Sequence, residues 1–393
     1  MDKKICIAGK NEIAIKALDF CAKNYSIKNL FFISNKSDEG IDSWQKSFKK
    51  FALSKNCKEV NLEQIYELKD LIFISLEFSE LINTDNFLSK ELFNIHFSLL
   101  PKYKGMYTSA WPILNDEKFS GVTLHKIDNG IDTGDIIDQI SFPLSSDETA
   151  KSLYSKYLRK SLDLFLKNIN NIVNKNYIKK KQPSFASSYY SKSSINYKNL
   201  NINLYQTAYN IDCQIRAYNF REYQLPELFD WKIGKCLITK EQSKFKPGTI
   251  IDESKSGFLI STIDYNLFLK KDYSFYLFKY AKSDESLKIK NLLNYLDDLD
   301  VKNKIGETAL IICAKNGCYS TFKLLVENGS NVFECDYRGY SVIYHSLKYY
   351  QETKDSKIFK YIFSCGVSSI ISDNVKMDLV THLERKNCLY LLE

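Results

Sequence analysis

The chain has 393 residues, of which 44% are hydrophobic and 26% charged, and a formal net charge of +8. At roughly 100–200 residues per domain the length predicts two or three domains, and the apolar share excludes a mainly disordered chain. Of the 55 basic residues five are arginines (Arg159, Arg216, Arg221, Arg338 and Arg385). Because Arg is the side chain that grips phosphates and base edges bidentately, so lysine-weighted an excess argues against nucleic acid as a partner.

The ten cysteines form no C-x-x-C pair, which speaks against a zinc module or a disulfide scaffold and leaves reduced thiols and no metal as the expectation. The start, MDKKICIAGKNE, lacks the apolar core of a signal peptide, and no run approaches the roughly 18 apolar residues of a membrane span. A soluble, cytoplasmic protein without a membrane partner is expected.

KICIAG (4–9) reads as a buried strand, followed by a helix to about Lys23. LFFIS (30–34), LIFISL (71–76) and LFNIH (92–96) read as further buried strands, and GVTLHKI (121–127) with IIDQISF (136–142) as a strand pair. Strands alternating with helices predict an α/β domain of Rossmann-like type. No G-x-G-x-x-G follows the first strand, so a dinucleotide site is not expected.

An amphipathic helix is predicted from Asp147, its expected N-cap, to Val173, with Leu153, Tyr157, Leu158, Leu162 and Phe165 on one side. Residues 177–200, rich in Ser, Lys and Tyr, read as a linker or a loop crossing a surface. A helix over about 203–218 comes next. Residues 230–280, with turn signals at Pro247-Gly248 and Gly257, read as a small β-rich extension.

The last third repeats itself. In NKIGETALIICAKNGCYSTFKLLVENGSNV (303–332) and the segment 335–370, Gly306 and Gly339 stand 33 residues apart, Thr308 aligns with Ser341, Leu310 with Ile343 and Ala314 with Leu347. This is the ankyrin frame, and it predicts all-α repeats. Leu287–Leu296 and Val375–Leu392 are the expected caps. His345 and His382 fall here without an evident acid/base partner.

The chemistry is concentrated in NIHFSLLPKYKG (94–105) and GVTLHKIDNGIDTGDI (121–136). An imidazole that titrates near neutrality can accept an amine proton, a primary amide can donate to a developing oxyanion, and a carboxylate can orient the imidazole. Asn94, His96 and Asp132 supply these three groups. His125 lies in a strand-like run and is expected to be packed or partly exposed rather than catalytic.

Asn-x-His at a strand end, an S-L-L-P loop, and Asp-Thr-Gly about 36 residues after the His closely resemble the formyltransferases that use 10-formyltetrahydrofolate. The resemblance covers about residues 1–180. It implies His96 as acid/base, Asn94 as oxyanion donor and Asp132 as the group that orients His96. It also implies a folate slot near Leu76, Phe78, Ile82, Asp128 and Gly130. QIRAYNFREYQLPE (214–227) resembles the segment after the catalytic domain of nucleotide-sugar N-formyltransferases. Arg216, Tyr218, Phe220, Arg221 and Tyr223 are therefore candidate contacts to a nucleotide diphosphate, with Lys102, Tyr103 and Lys104 near the sugar phosphates.

With an ankyrin tail in place of the barrel of a tRNA enzyme, the chain resembles the enzymes that formylate the 3-amino group of dTDP-3-amino-3,6-dideoxyhexoses, which implies dTDP-3-amino-3,6-dideoxy-D-glucose or its galactose epimer as acceptor, for O-antigen synthesis. A 4-amino sugar is the alternative. A binding protein built on a decayed transferase, and a hydrolase of the formyl carrier, are the readings from other classes. The resemblance also implies a homodimer through residues 230–280. The expected division is residues 1–185 for catalysis, 186–283 for a helix and β-hairpin extension that binds nucleotide and dimerises, and 284–393 for the repeats, whose ligand stays open.

Overall fold

The structure, a computed structural model, describes residues 3–365. The described chain divides into two compact units, one of residues 3–41, 45–251 and 259–269, the other of residues 42–44, 252–258 and 270–365.

The first unit is built on β1 (Lys4–Gly9), α1 (Asn11–Asn24), β2 (Leu30–Ser34), α2 (Phe48–Ser54), β3 (Lys58–Glu59), β4 (Leu71–Leu76), β5 (Glu91–His96), β6 (Lys104–Gly105), α3 (Trp111–Leu114), β7 (Phe119–Lys126), β8 (Ile136–Pro143), α4 (Ala150–Val173), β9 (Tyr189–Tyr190) and α5 (Ala208–Tyr218). Seven strands form one sheet in the order β3-β2-β1-β4-β5-β7-β8. The pairs from β3 to β5 are parallel, whereas β5–β7 and β7–β8 are antiparallel.

Alternate residues of the central strands enter two cores, as the pleat requires. Ile5, Ile7, Ile74, Phe93 and Ile95 pack with Leu18 of α1 and Tyr157, Leu164 and Phe165 of α4, while Cys6, Ala8, Phe73 and Leu92 pack on the opposite face with Ile65 and Phe87. Both faces are covered, which is why the strands read as continuous apolar runs.

Two expectations are corrected and one is narrowed. The N-cap of α4 is Thr149, not Asp147: its side chain accepts from the Ser152 N–H while Ser152 reaches back, closing a capping box. The helix expected over 203–218 begins at Ala208, where the Thr207 side chain caps it. Of the two readings of 177–200 the linker gives way to the loop crossing the domain surface: Lys180 pairs with Ile136, and Tyr189–Tyr190 pair with Lys104–Gly105.

A five-stranded sheet follows, ordered β10-β11-β14-β13-β12, from β10 (Glu227–Leu228), β11 (Trp231–Gln242), β12 (Ile250–Glu253), β13 (Gly257–Ile260) and β14 (Tyr265–Lys271).

Among the described residues the second unit holds three helix pairs: α6 (Ser274–Lys282) with α7 (Ser286–Leu292), α8 (Ala309–Asn316) with α9 (Tyr319–Glu327), and α10 (Val342–Thr353) with α11 (Lys357–Ser364). The first pair starts earlier than the expected boundary at residue 284, and α7 occupies the stretch expected as a cap. Leu277, Ala281, Ile289, Leu310, Phe322, Leu325, Ile343, Leu347 and Phe359 share one core. The aligned Thr308 and Ser341 have the same role, each accepting a backbone N–H at the start of its helix. Gly317 ends α8 at φ 69, where a Cβ would meet the Tyr349 ring at 2.2 Å. His345 does have a partner, its Nε2 lying 3.1 Å from Asp336 Oδ2. The proposed cap Val375–Leu392 and His382 lie outside the described residues. Among the described residues no helix is long and apolar enough to cross a membrane.

Candidate active site

Asn94 and His96 are two positions apart on β5 and therefore share a face. The antiparallel register of β5 with β7 sets Asn94 opposite His125 and His96 opposite Thr123. Directly paired residues lie on the same side of a sheet, so four polar side chains gather at the carboxyl end of β5. Open α/β sheets bind ligands at that end.

Asp132 closes the group from the loop between β7 and β8. Its Oδ2 lies 3.4 Å from His96 Nδ1 and its Oδ1 3.5 Å from His125 Nε2. Oδ2 also accepts from the Gly105 N–H at 2.9 Å, and Oδ1 accepts from Asn94 Nδ2 at 3.3 Å. Burial works to raise the Asp132 pKa. The neighbouring His96 imidazole and the Gly105 N–H outweigh it and hold the carboxyl well below the usual carboxylate range.

The hydrogen bonds constrain the two imidazoles differently. His125 is 2% exposed. Its Nδ1 lies 2.7 Å from the Lys126 carbonyl, which can only accept, so Nδ1 carries the proton. Nε2 is then the acceptor for Asn94 Nδ2 at 3.1 Å. His96, 8% exposed, has acceptors at both ring nitrogens: the Tyr103 carbonyl 2.8 Å from Nε2 and Asp132 at Nδ1. A neutral ring can donate to one of them and an imidazolium to both. His96 is therefore placed to hold a proton. Both amide N–H groups of Asn94 face acceptors here, so one must leave its partner to reach an oxyanion.

Thr123 braces the loop after His96. Its hydroxyl donates to the Ser98 carbonyl at 2.6 Å and accepts from the Leu100 N–H at 3.1 Å and from Gln139 Nε2 at 2.8 Å.

The remaining expected contacts divide. Leu76 is fully enclosed in the main core, a correction to its expected place on a slot wall, while Phe78 and Ile82 are partly buried beside Phe73. Asp128 accepts from the Thr133 hydroxyl and the Gly130 N–H, so it shapes its own loop. Lys102 Nζ and the Tyr103 hydroxyl both engage Glu117, at 2.8 and 2.7 Å. Lys104 lies in β6.

Arg216 differs from expectation. It donates to Asp212, to the Glu148 carbonyl and to Cys213 Sγ, making it an internal tie and not a displayed phosphate contact. Tyr218 packs beside Tyr197, Phe220 is buried edge-on to Tyr154, and Tyr223 is exposed. Arg221 lies between them, half-buried. Sequence reasoning named His125 only as a packed or partly exposed residue and did not single out Thr123 or Gln182. The side-chain amide of Gln182 donates to the carbonyls of Asp132 and Gly134, both at 2.8 Å. No local signal marks these residues, because each acts across the sheet or between loops.

Among the described residues no group of three or more His, Cys, Asp or Glu could hold a metal ion. An imidazole, a primary amide and a carboxylate brought together suit acyl-type transfer to an amine.

Comparison with known proteins gives the same direction. Residues 28–169 match the formyl transferase family, and residues 277–373 match ankyrin repeats in three copies. Methionyl-tRNA formyltransferase of Clostridium tetani is 30% identical over 286 residues, 68% of this chain and 91% of that protein. Among solved structures, WlaRD, a sugar 3N-formyl transferase determined in the presence of dTDP and 5-N-formyl-THF, is 48% identical with a TM-score of 0.64, over 69% of this chain and 98% of that one. The N-formyltransferase of Helicobacter canadensis, in complex with folinic acid and dTDP-3-aminofucose, is 46% identical with a TM-score of 0.64, over 69% of this chain and 100% of that one.

Proposed function

This chain belongs to the formyltransferase family, and on that premise we propose that it moves a formyl group from 10-formyltetrahydrofolate to the 3-amino group of a dTDP-3-amino-3,6-dideoxyhexose. The observation that carries the reading is the hydrogen-bonded cluster of Asn94, His96 and Asp132 at the carboxyl end of β5. In the reaction a bond forms between the amine nitrogen and the formyl carbon and the bond from that carbon to the folate nitrogen breaks. The amine loses a proton and the folate nitrogen gains one.

The carrier supplies the activated formyl group. His96 takes and returns the proton, Asp132 holds the imidazole in place, and an N–H of Asn94 stabilises the negative charge that develops on the formyl oxygen. The burial of His96, with Asn94 and Asp132 half-buried beside it, strengthens each of these interactions. Phe78, Ile82 and the loop of Asp128 and Gly130 are the proposed folate neighbours, and Arg221 with Tyr223 the proposed nucleotide neighbours.

Two solved relatives at 48% and 46% identity support the acceptor: one is a sugar 3N-formyl transferase, and the other's complex contains dTDP-3-aminofucose. Aminofucose is galacto-configured, which favours the galactose epimer alongside the glucose one. The enzyme acts as a cytoplasmic homodimer through the β10–β14 sheet, and its product enters O-antigen synthesis.

The test is a rate comparison with 10-formyltetrahydrofolate and the 3-amino and 4-amino dTDP-sugars, following tetrahydrofolate. Faster release with a 3-amino sugar supports the proposal. Release with methionyl-tRNA alone, with the 4-amino sugar alone, or as formate without any amine, rejects it.

A further inference from the structure

The loop after β5 and the loop that carries Asp132 are both held in backbone conformations that side-chain-bearing residues avoid. Tyr103 has φ 59, Tyr107 φ 62 and Asp132 φ 55, with Gly105 at φ 86 between the two tyrosines. Left-handed backbone at a bulky residue costs on the order of 1–3 kcal/mol and persists where its surroundings over-determine it. Both loops are gripped by one segment, residues 180–190.

At one end of that segment Lys180 and Ile136 exchange backbone hydrogen bonds at 2.8 Å. Gln182 then uses its amide nitrogen to bridge the carbonyls of Asp132 and Gly134, while its Oε1 is buried without a partner. At the other end the Ser188 hydroxyl accepts from the Tyr103 N–H at 2.8 Å, and the Ser188 carbonyl accepts from the Lys104 N–H at 2.9 Å. The Tyr190 carbonyl accepts from the Met106 N–H at 2.8 Å, and the Tyr190 ring stacks on Trp111 with centroids 3.9 Å apart. The residues so held contact the cluster directly, since the Tyr103 carbonyl meets His96 Nε2 and the Gly105 N–H meets Asp132.

We propose that residues 180–190 form a positioning strap for the reaction, with Gln182 as its hold on Asp132 and Ser188 as its hold on the loop that contacts His96. The strap fixes the distance between His96 and Asp132 from the two loops at once. A register error at either end would pull one partner of the pair away from the other, and misplacement on the order of 1 Å lowers turnover by about 10²-fold. The inference rests on the formyl-transfer reading for its kinetic consequence, and on geometry alone for the tie itself.

Two measurements test it. Gln182→Met keeps the side-chain volume without the N–H donors, and Gln182→Glu keeps the shape while placing a carboxylate against two carbonyls. Both are expected to lower kcat by about 10- to 100-fold, with the KM of each substrate within threefold of wild type and the Tm little changed. Ser188→Ala is expected to do the same from the other end. Wild-type kcat in the Met and Ala variants would overturn the proposal. Hydrogen–deuterium exchange on the unliganded protein supplies a readout free of activity: in Gln182→Met or Ser188→Ala the peptides over 101–107 and 130–136 should exchange faster than in wild type. Unchanged exchange in both variants would also overturn it. A wild-type protein inactive with every amine would refute the formyl-transfer reading, and the exchange result would still decide the strap.

Discussion

Asn94 and His125 face each other across the β5–β7 ladder, with Asn94 Nδ2 3.1 Å from His125 Nε2. The Lys126 carbonyl determines which His125 nitrogen carries the proton, and that leaves Nε2 as an acceptor for the amide. Asn94 is thereby oriented with its nitrogen toward Asp132. An amide flipped the other way would set its oxygen against a lone pair and a carboxylate. His125 thus makes the proposed oxyanion donor face inward, although it is separated from Asn94 by 31 positions.

His125→Ala should therefore lower turnover by about tenfold or more through misorientation of Asn94, while dTDP-sugar affinity stays near wild type. Steady-state kinetics with an independent binding titration check this. Wild-type kcat would show that Asn94 is held without it.

His96→Ala is expected to lower turnover by at least about 10²-fold, and Asn94→Ala by about 10²- to 10³-fold, with nucleotide binding still measurable. Tetrahydrofolate release measures both. A His96 variant that turns over at the wild-type rate removes the proposed acid/base group.

The depressed pKa of Asp132 carries a stability consequence. A carboxyl whose folded pKa lies below its unfolded value contributes stability above the unfolded value, and that contribution is lost as pH falls through the folded one. The stability of the wild type relative to Asp132→Asn should accordingly be greatest near neutral pH. It should shrink as the pH falls below the ordinary value of 3.8. Urea midpoints across pH 7 to pH 3 check the sign; a gap that widens on acidification contradicts it.

Gly105→Ala should be damaging twice over. The position has φ 86, and a Cβ there would meet the Tyr190 carbonyl at 2.3 Å. The β6–β9 pairing must open, taking the Gly105 N–H away from Asp132. A stability loss of about 1–3 kcal/mol is expected, together with a fall in kcat; denaturation and kinetics on the same preparation measure both.

Much of this protein is legible from local pattern. The continuous apolar runs at 4–9, 30–34, 71–76 and 92–96 become central strands because burial on both faces demands them. The i, i+2 spacing of Asn94 and His96 places them on one face by the pleat alone. Thr308 and Ser341 mark helix starts because a short hydroxyl side chain can satisfy an orphan N–H there. Each of these follows from residues within a few positions of one another.

Only the tertiary structure decided the rest, because the deciding partner is distant in the chain. His125 joins the cluster through strand register, and a register shifted by one residue would turn it to the other face. Arg216 resembles a phosphate contact in its sequence setting, but its guanidinium reaches Asp212 and the Glu148 carbonyl, the latter 68 positions away. The polar stretch around Gln182 has linker composition, and its hold on the Asp132 loop is a hydrogen bond across 50 positions. Composition describes what a segment can do in water; which buried carbonyls its donors find is settled by the packing of the sheet that brings them within 3 Å.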